Sequence, residues 1–229
     1  MPQRPIPAFI LVGLFLSVAL VAGSARAEAP LTAEDIAAKV QQTLRSLQDI
    51  SLIAQIEQVD AAEGAPTSAE ILFQAKLPDL FRLTYRRPEA LAGTVQLIDR
   101  HRNEVRTYLP ITETIIVQDL DEALRAQGLV VDPEQLLTLP TENGFQLSLV
   151  GSETREGVSY AIVAARRAED PPGMSYRFWV DQALWLFTRI EVLRDEQVFL
   201  TVRLVDIALN QGIADQTLAA LPRGAVKYQ

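Results

Sequence analysis

The chain has 229 residues, 48% of them hydrophobic and 22% charged, with no cysteine and a formal net charge of -8. That acidic balance argues against a nucleic-acid partner, whose phosphates would repel the protein unless a basic patch were set apart. The missing cysteine excludes disulfides, thiolate metal sites and lipid attachment through sulfur, so the fold has to be held by its apolar core.

The first residues have the pattern of an export signal: Arg4, an apolar run from Phe9 to Ala22, and Ala25-Arg26-Ala27 as a cleavage site, with the cut expected after Ala27. The apolar run is shorter than the roughly 20 residues a membrane-spanning helix needs. Removing residues 1–27 takes away Arg4 and Arg26 and no acid, which moves the formal charge from -8 to -10 and leaves one expected domain over residues 28–229.

Thr32 is a good helix N-cap with Asp35 three residues on, and Leu31 and Ile36 can staple the start. Ile36, Val40, Leu44 and Leu47 then mark one buried stripe. From Asp49 the period changes to two, and Ile50–Glu57 and Ile71–Lys76 are expected to form a hairpin. In the next strand Phe81, Leu83 and Tyr85 fall on one face and Arg82, Thr84 and Arg86 on the other. Strands follow at Thr94–Ile98, Glu104–Leu109 and Thr114–Gln118, the second stopped by Pro110.

Alternation ceases between Asp119 and Pro140, where two short helices are predicted, the second capped by Asp132 and carrying Leu136 and Leu137. Strands resume at Gly144–Val150, Val158–Ala164, Tyr176–Val180, Leu186–Leu193 and Val198–Leu209. In the last of these, Val198, Leu200, Val202 and Leu204 share one frame while Ile207 and Leu209 take the other, which predicts a bulge near Val205. The plan is α+β, a curved antiparallel sheet of about ten strands, and a sheet of that size curls or closes.

Catalytic chemistry is not indicated. His101 is the only histidine, it sits between two arginines in a turn, and no serine lies in a G-x-S-x-G setting. No catalytic residue, metal or cofactor is expected. Six arginines lie between Arg82 and Arg106. Of these, Arg82, Arg86 and Arg106 are candidates for holding a lipid headgroup or an acidic partner, with cross-strand salt bridges as the alternative. Phe73, Phe81, Leu83, Tyr85, Phe145, Leu147, Tyr160, Tyr176, Phe178 and Trp185 are candidates for a shared apolar interior. In a closed fold they are core; in an open sheet they line a cavity.

The order Pro78, Phe81, Arg82, Pro88, Asp99, Tyr108 and Pro110 resembles the LolA/LolB lipoprotein carrier family. The resemblance implies an incomplete, half-open β-barrel with an N-terminal helix, and short lid helices, carrying Leu136 and Leu137, over its concave apolar face. It implies a monomeric periplasmic carrier of lipoprotein or lipid acyl chains, loaded by an inner-membrane lipoprotein-releasing transporter and emptied by an outer-membrane acceptor. Residues 210–225 look like the family's closing loop and strand. The family places an arginine just before the first proline, where it latches the lid; here Leu77 stands there with Lys76 beside it, so the latch falls to Lys76 or is missing. Envelope-stress sensors of the RseB/MucB type share the fold, and they supply the alternative of a regulator that binds lipid or protein ligands without transport.

Overall fold

Thr32 begins the first helix as its sequence predicts. In the computed structural model, which describes residues 31–59, 66–125 and 145–228, α1 spans Ala33–Ser46. The Thr32 hydroxyl accepts from the Asp35 amide at 3.1 Å, and the Asp35 carboxylate accepts from the Thr32 amide at 3.0 Å. This reciprocal box holds Asp35 below the ordinary carboxylate range, first through the bonds to Thr32. Ala33, Ile36, Ala37 and Val40 are buried on one face. The expected signal segment, Asp132, Leu136 and Leu137 lie outside the described residues.

Among the described residues twelve strands follow, the eleven expected segments and a short one near the end of the chain. They are β1 (Asp49–Val59), β2 (Pro66–Lys76), β3 (Leu80–Arg87), β4 (Val95–Asp99), β5 (Glu104–Leu109), β6 (Thr114–Asp119), β7 (Phe145–Arg155), β8 (Val158–Arg167), β9 (Met174–Asp181), β10 (Leu186–Arg194), β11 (Gln197–Leu209) and β12 (Ala225–Tyr228). Helix α2 (Leu120–Arg125) follows β6, with Asp119 accepting from the Glu122 amide at 3.0 Å, and α3 (Asp215–Ala219) precedes β12. The sheet order is β12-β6-β5-β4-β3-β2-β1-β11-β10-β9-β8-β7. Two meanders, β1–β6 and β7–β11, are joined where β1 pairs with β11. The sheet does not close, because the described partners of β7 and β12 are β8 and β6 alone. All pairings are antiparallel except β12 on β6, which is parallel and departs from the expected plan.

One face of this sheet, the inner one, bears two apolar clusters. The first gathers Ile50, Leu52, Phe73, Phe81, Leu83, Ile98 and Val105 from β1 to β5, closed at one end by Leu120 and Ala123 of α2. The second sets Ile36 and Val40 of α1 on Ala161, Val163, Phe178, Val180 and Phe187. The bulge expected near Val205 is present: Ser51 faces Ala208 but Ile53 faces Val205, and Asp206 takes φ +53°. It turns Ile207 and Leu209 to the same side as Leu204, so all three pack on the first cluster.

The outer face of β2 and β3 is covered by the segment after β11. Buried Asp49 holds the departure of this segment, accepting from the amides of Gln211 (2.8 Å), Gly212 (2.8 Å) and Ile213 (3.3 Å). Lys76 of β2 then pairs with Asp215, and Arg82 of β3 donates to the carbonyls of Leu218 at 3.0 Å and of Ala220. Leu218 is fully buried. On this face of the neighbouring strands Val95, Leu97 and Val117 are buried too. The segment ends as β12, and there Gly224 passes so close to β6 that a Cβ would lie 2.6 Å from the Glu113 carbonyl. Only glycine fits.

Candidate functional site

The aromatic candidates lie on the inner face but in two groups. Phe73, Phe81 and Leu83 are buried and Tyr85 half-buried in the first cluster, while Phe145, Leu147 and Tyr176 are half-buried and Phe178 buried in the second, with Trp185 packed beside them. Phe73 meets Phe81 with ring centroids 6.3 Å apart, and Phe145 meets Tyr176 edge-on at 5.8 Å. Burial pushes the phenols of Tyr85 and Tyr176 up, and nearby Asp170 adds to the effect on Tyr176.

Tyr160 does not join them. The inner residues of β8 are Ala161, Val163 and Ala165, so Tyr160 faces outward between Glu153 and Asp181. These inner positions share a cluster with Ala33 and Ala37 of α1. Side-chain size at Tyr160 and Ile162 therefore points to the wrong face.

Leu44 of α1 and Leu204 of β11 touch both clusters and mark the seam between them. Along that seam an apolar recess is lined by Ile50, Leu52, Leu186, Phe187, Leu204 and Ile207. Its room is about that of one water molecule. None of these six residues was singled out from the sequence, although the frame change near Val205 carried the signal for Ile207. Leu83, at 4% exposure, is packed core, and a charge there is a folding lesion before it is a probe of binding.

The three candidate arginines are engaged within the chain. Arg82 is taken up by the carbonyls of Leu218 and Ala220, and burial lowers its pKa from the usual value. Arg86 lies 3.7 Å from Glu70 on β2. Arg106 makes a two-pronged contact with Glu104, at 2.6 and 3.1 Å, which holds the carboxyl low and the guanidinium high. The cross-strand salt-bridge alternative describes Arg86 alone, since Arg106 pairs within its own strand and Arg82 is held by the two carbonyls. Lys76 pairs with Asp215 on the outer face, while Leu77 packs on the first cluster.

His101 is exposed in the turn between β4 and β5. Among the described residues no group of three or more His, Cys, Asp or Glu side chains is placed to hold a metal ion, and no helix is long and apolar enough to cross a membrane.

No family model and no curated protein matches the sequence. Solved structures do match. An uncharacterized conserved protein from Thermus thermophilus superposes with a TM-score of 0.59 at 16% identity, over 86% of this chain and 99% of that one. MucB of Pseudomonas aeruginosa, solved in complex with MucA, superposes with a TM-score of 0.52 at 14% identity over 82% of this chain. The fold is LolA-like. The chain spans 61% of the length of MucB. A LolA superfamily protein from Nitrosomonas europaea overlaps at a TM-score of 0.43 and 13% identity, over 83% of this chain and 99% of that one. The LolA-like fold sets the scaffold, and the ligand has to be argued from the inner face.

Proposed function

We propose that this LolA-like chain binds acyl chains of lipoproteins or related lipids on its inner face and carries them through the periplasm between inner and outer membranes. The observation that carries the reading is the open sheet, with two apolar clusters on one face and a recess along the seam between them. Opening that seam exposes apolar walls on both sides, and each methylene then buried contributes about 0.8 kcal/mol. Residues 28–229 form the working protein in this reading, with 1–27 removed on export. A releasing transporter in the inner membrane and an acceptor in the outer membrane are its partners, and it performs no chemistry.

Native mass spectrometry of the protein purified from the periplasm without detergent, followed by solvent extraction, tests this. A co-purifying acylated peptide or lipid supports the reading, as does its loss from a folded Ile207→Glu variant. A protein that is apo as purified and stays apo after incubation with acylated peptides overturns it.

The likeness to MucB, whose solved complex contains MucA, favours one second reading. Here the same face senses a ligand and passes its state to a membrane regulator. A stable complex with the periplasmic part of such a regulator, released by lipid, separates the two.

A further inference from the structure

The outer face of β9, β10 and β11 gathers charge of one sign. Arg177, Arg189 and Arg203 stand there on neighbouring strands, and Arg189 and Arg203 face each other directly across the ladder, where like charges work against the sheet. Arg189 pairs with buried Glu191 and lies over the Trp179 ring. That pairing takes the one carboxylate that stands opposite Arg177, and among the described residues no acid pairs with Arg177 itself. Arg166 of β8, also on this face, is exposed as well.

Two acids share the outer positions of β8 to β11, Asp181 and Glu191. Both are buried and spent within the chain, Asp181 on the amides of Ala183 (2.7 Å) and Leu184 (3.1 Å), and Glu191 on Arg189. At the borders stand Glu57 of β1, which Arg203 meets, half-buried Glu153 of β7, and Asp195, Glu196 and Asp206 in the turn before β11 and at its bulge. The charge that the middle of this face shows to solvent is therefore positive. It is also short of acceptors, because the buried indole N–H of Trp179 and the buried Nε of Arg189 have no partner among the described residues. On the other half of the sheet, by contrast, the outer arginines of β3 and β5 are each met inside the chain, Arg82 by two carbonyls, Arg86 by Glu70 and Arg106 by Glu104.

A guanidinium is a planar fork that matches a carboxylate. Neighbouring strands lie about 4.8 Å apart, so β9 to β11 spread their arginines over about 10 Å, roughly the reach of three residues of an extended chain. Trp179 is buried and Ile162 half-buried, so the middle of this face offers no large apolar side chain to the interior of a bilayer. We propose that it docks an extended acidic segment of a partner protein, whose Asp and Glu side chains are received by Arg177, Arg189 and Arg203. The site lies on the opposite side of the sheet from the acyl-chain reading and does not depend on it.

The probe is a fluorescent peptide that alternates glutamate with serine, mixed with the purified protein at low salt. Binding that weakens as salt rises is expected. It should be about tenfold weaker for Arg177→Gln and unchanged for Arg102→Gln, which removes the same charge from the exposed turn between β4 and β5. In the unmodified protein the two tryptophans separate the two faces. The peptide should move the indole N–H resonance of Trp179 and leave in place that of Trp185, which packs on the second cluster beside Lys39. That measurement does not depend on how the variants fold. No binding, equal binding by Arg177→Gln, an equal loss for Arg102→Gln, or a shift at Trp185 alone overturns the proposal. So does binding to phosphatidylglycerol vesicles with none to the peptide, which would give the face to a membrane, or a salt-sensitive dimer that Arg177→Gln abolishes, which would give it to a second copy.

Discussion

Strands β4 and β8 show how differently the two halves of the sheet are built. In β4, Val95, Gln96, Leu97 and Ile98 are all buried, because the first cluster covers the inner face and the outer face is covered as well. In β8, Ala161, Val163 and Ala165 are buried while Tyr160, Ile162 and Ala164 are only half-buried, so burial alternates along the middle of the strand. Beyond β8 the outer face is covered by the sheet's own side chains: Arg189 pairs with buried Glu191 and lies 4.5 Å over the buried Trp179 ring, and Arg203 meets Glu57 at 2.9 Å. A strand covered on both faces loses its period; one covered on a single face keeps it.

The largest break of this contrast is expected at Phe81, fully buried in the first cluster. Phe81→Ala should cost about 3–5 kcal/mol in urea unfolding. Arg82→Ala comes next, since it strips the donor from the carbonyls of Leu218 and Ala220. We expect a loss of about 1–3 kcal/mol, with faster hydrogen exchange confined to β12 and the segment before it. Arg86→Ala on the same strand, whose partner is Glu70 of β2, serves as the control and should leave that segment protected.

On the other half, Thr32→Ala removes the cap of α1 and should cost about 1 kcal/mol, seen as a lower thermal midpoint and looser packing around Val163.

The smallest effect is expected at Glu104, whose carboxyl is held low by the Arg106 hydrogen bond. A depressed folded pKa means the contribution is present above the unfolded value of about 4.3 and lost as pH falls through the folded one. Glu104→Gln should therefore narrow the stability difference between pH 6 and pH 3, by less than about 1 kcal/mol for so exposed a pair. An unchanged pH profile would show the pair to be idle.

Local rules made much of this fold readable. Thr32 with Asp35 announced α1, alternation announced the antiparallel strands, and the conflict of frame between Leu204 and Ile207 announced the bulge. What escaped is non-local. Nothing around Arg82 says that its partners are two carbonyls more than 130 residues away, and nothing near Leu218 says that it buries itself on the back of the sheet. Tyr160 was misplaced because large residues suggest an interior, whereas the inner positions of β8 hold Ala161, Val163 and Ala165. The recess was missed for a related reason: its six residues come from β1, β11 and the turn-ward end of β10, and they meet only once β1 pairs with β11.

The segment after β11 is synthesised later than every strand it covers. Until it arrives, Val95, Leu97 and Val117 present an apolar back to water, and the parallel pairing of β12 on β6 must wait for more than a hundred intervening residues. The half of the sheet that is most thoroughly buried when finished is thus the last to finish, because its outer cover follows β11 in the chain. A chain halted before Leu218 would display that apolar back to chaperones and proteases, although most of its strands were already made.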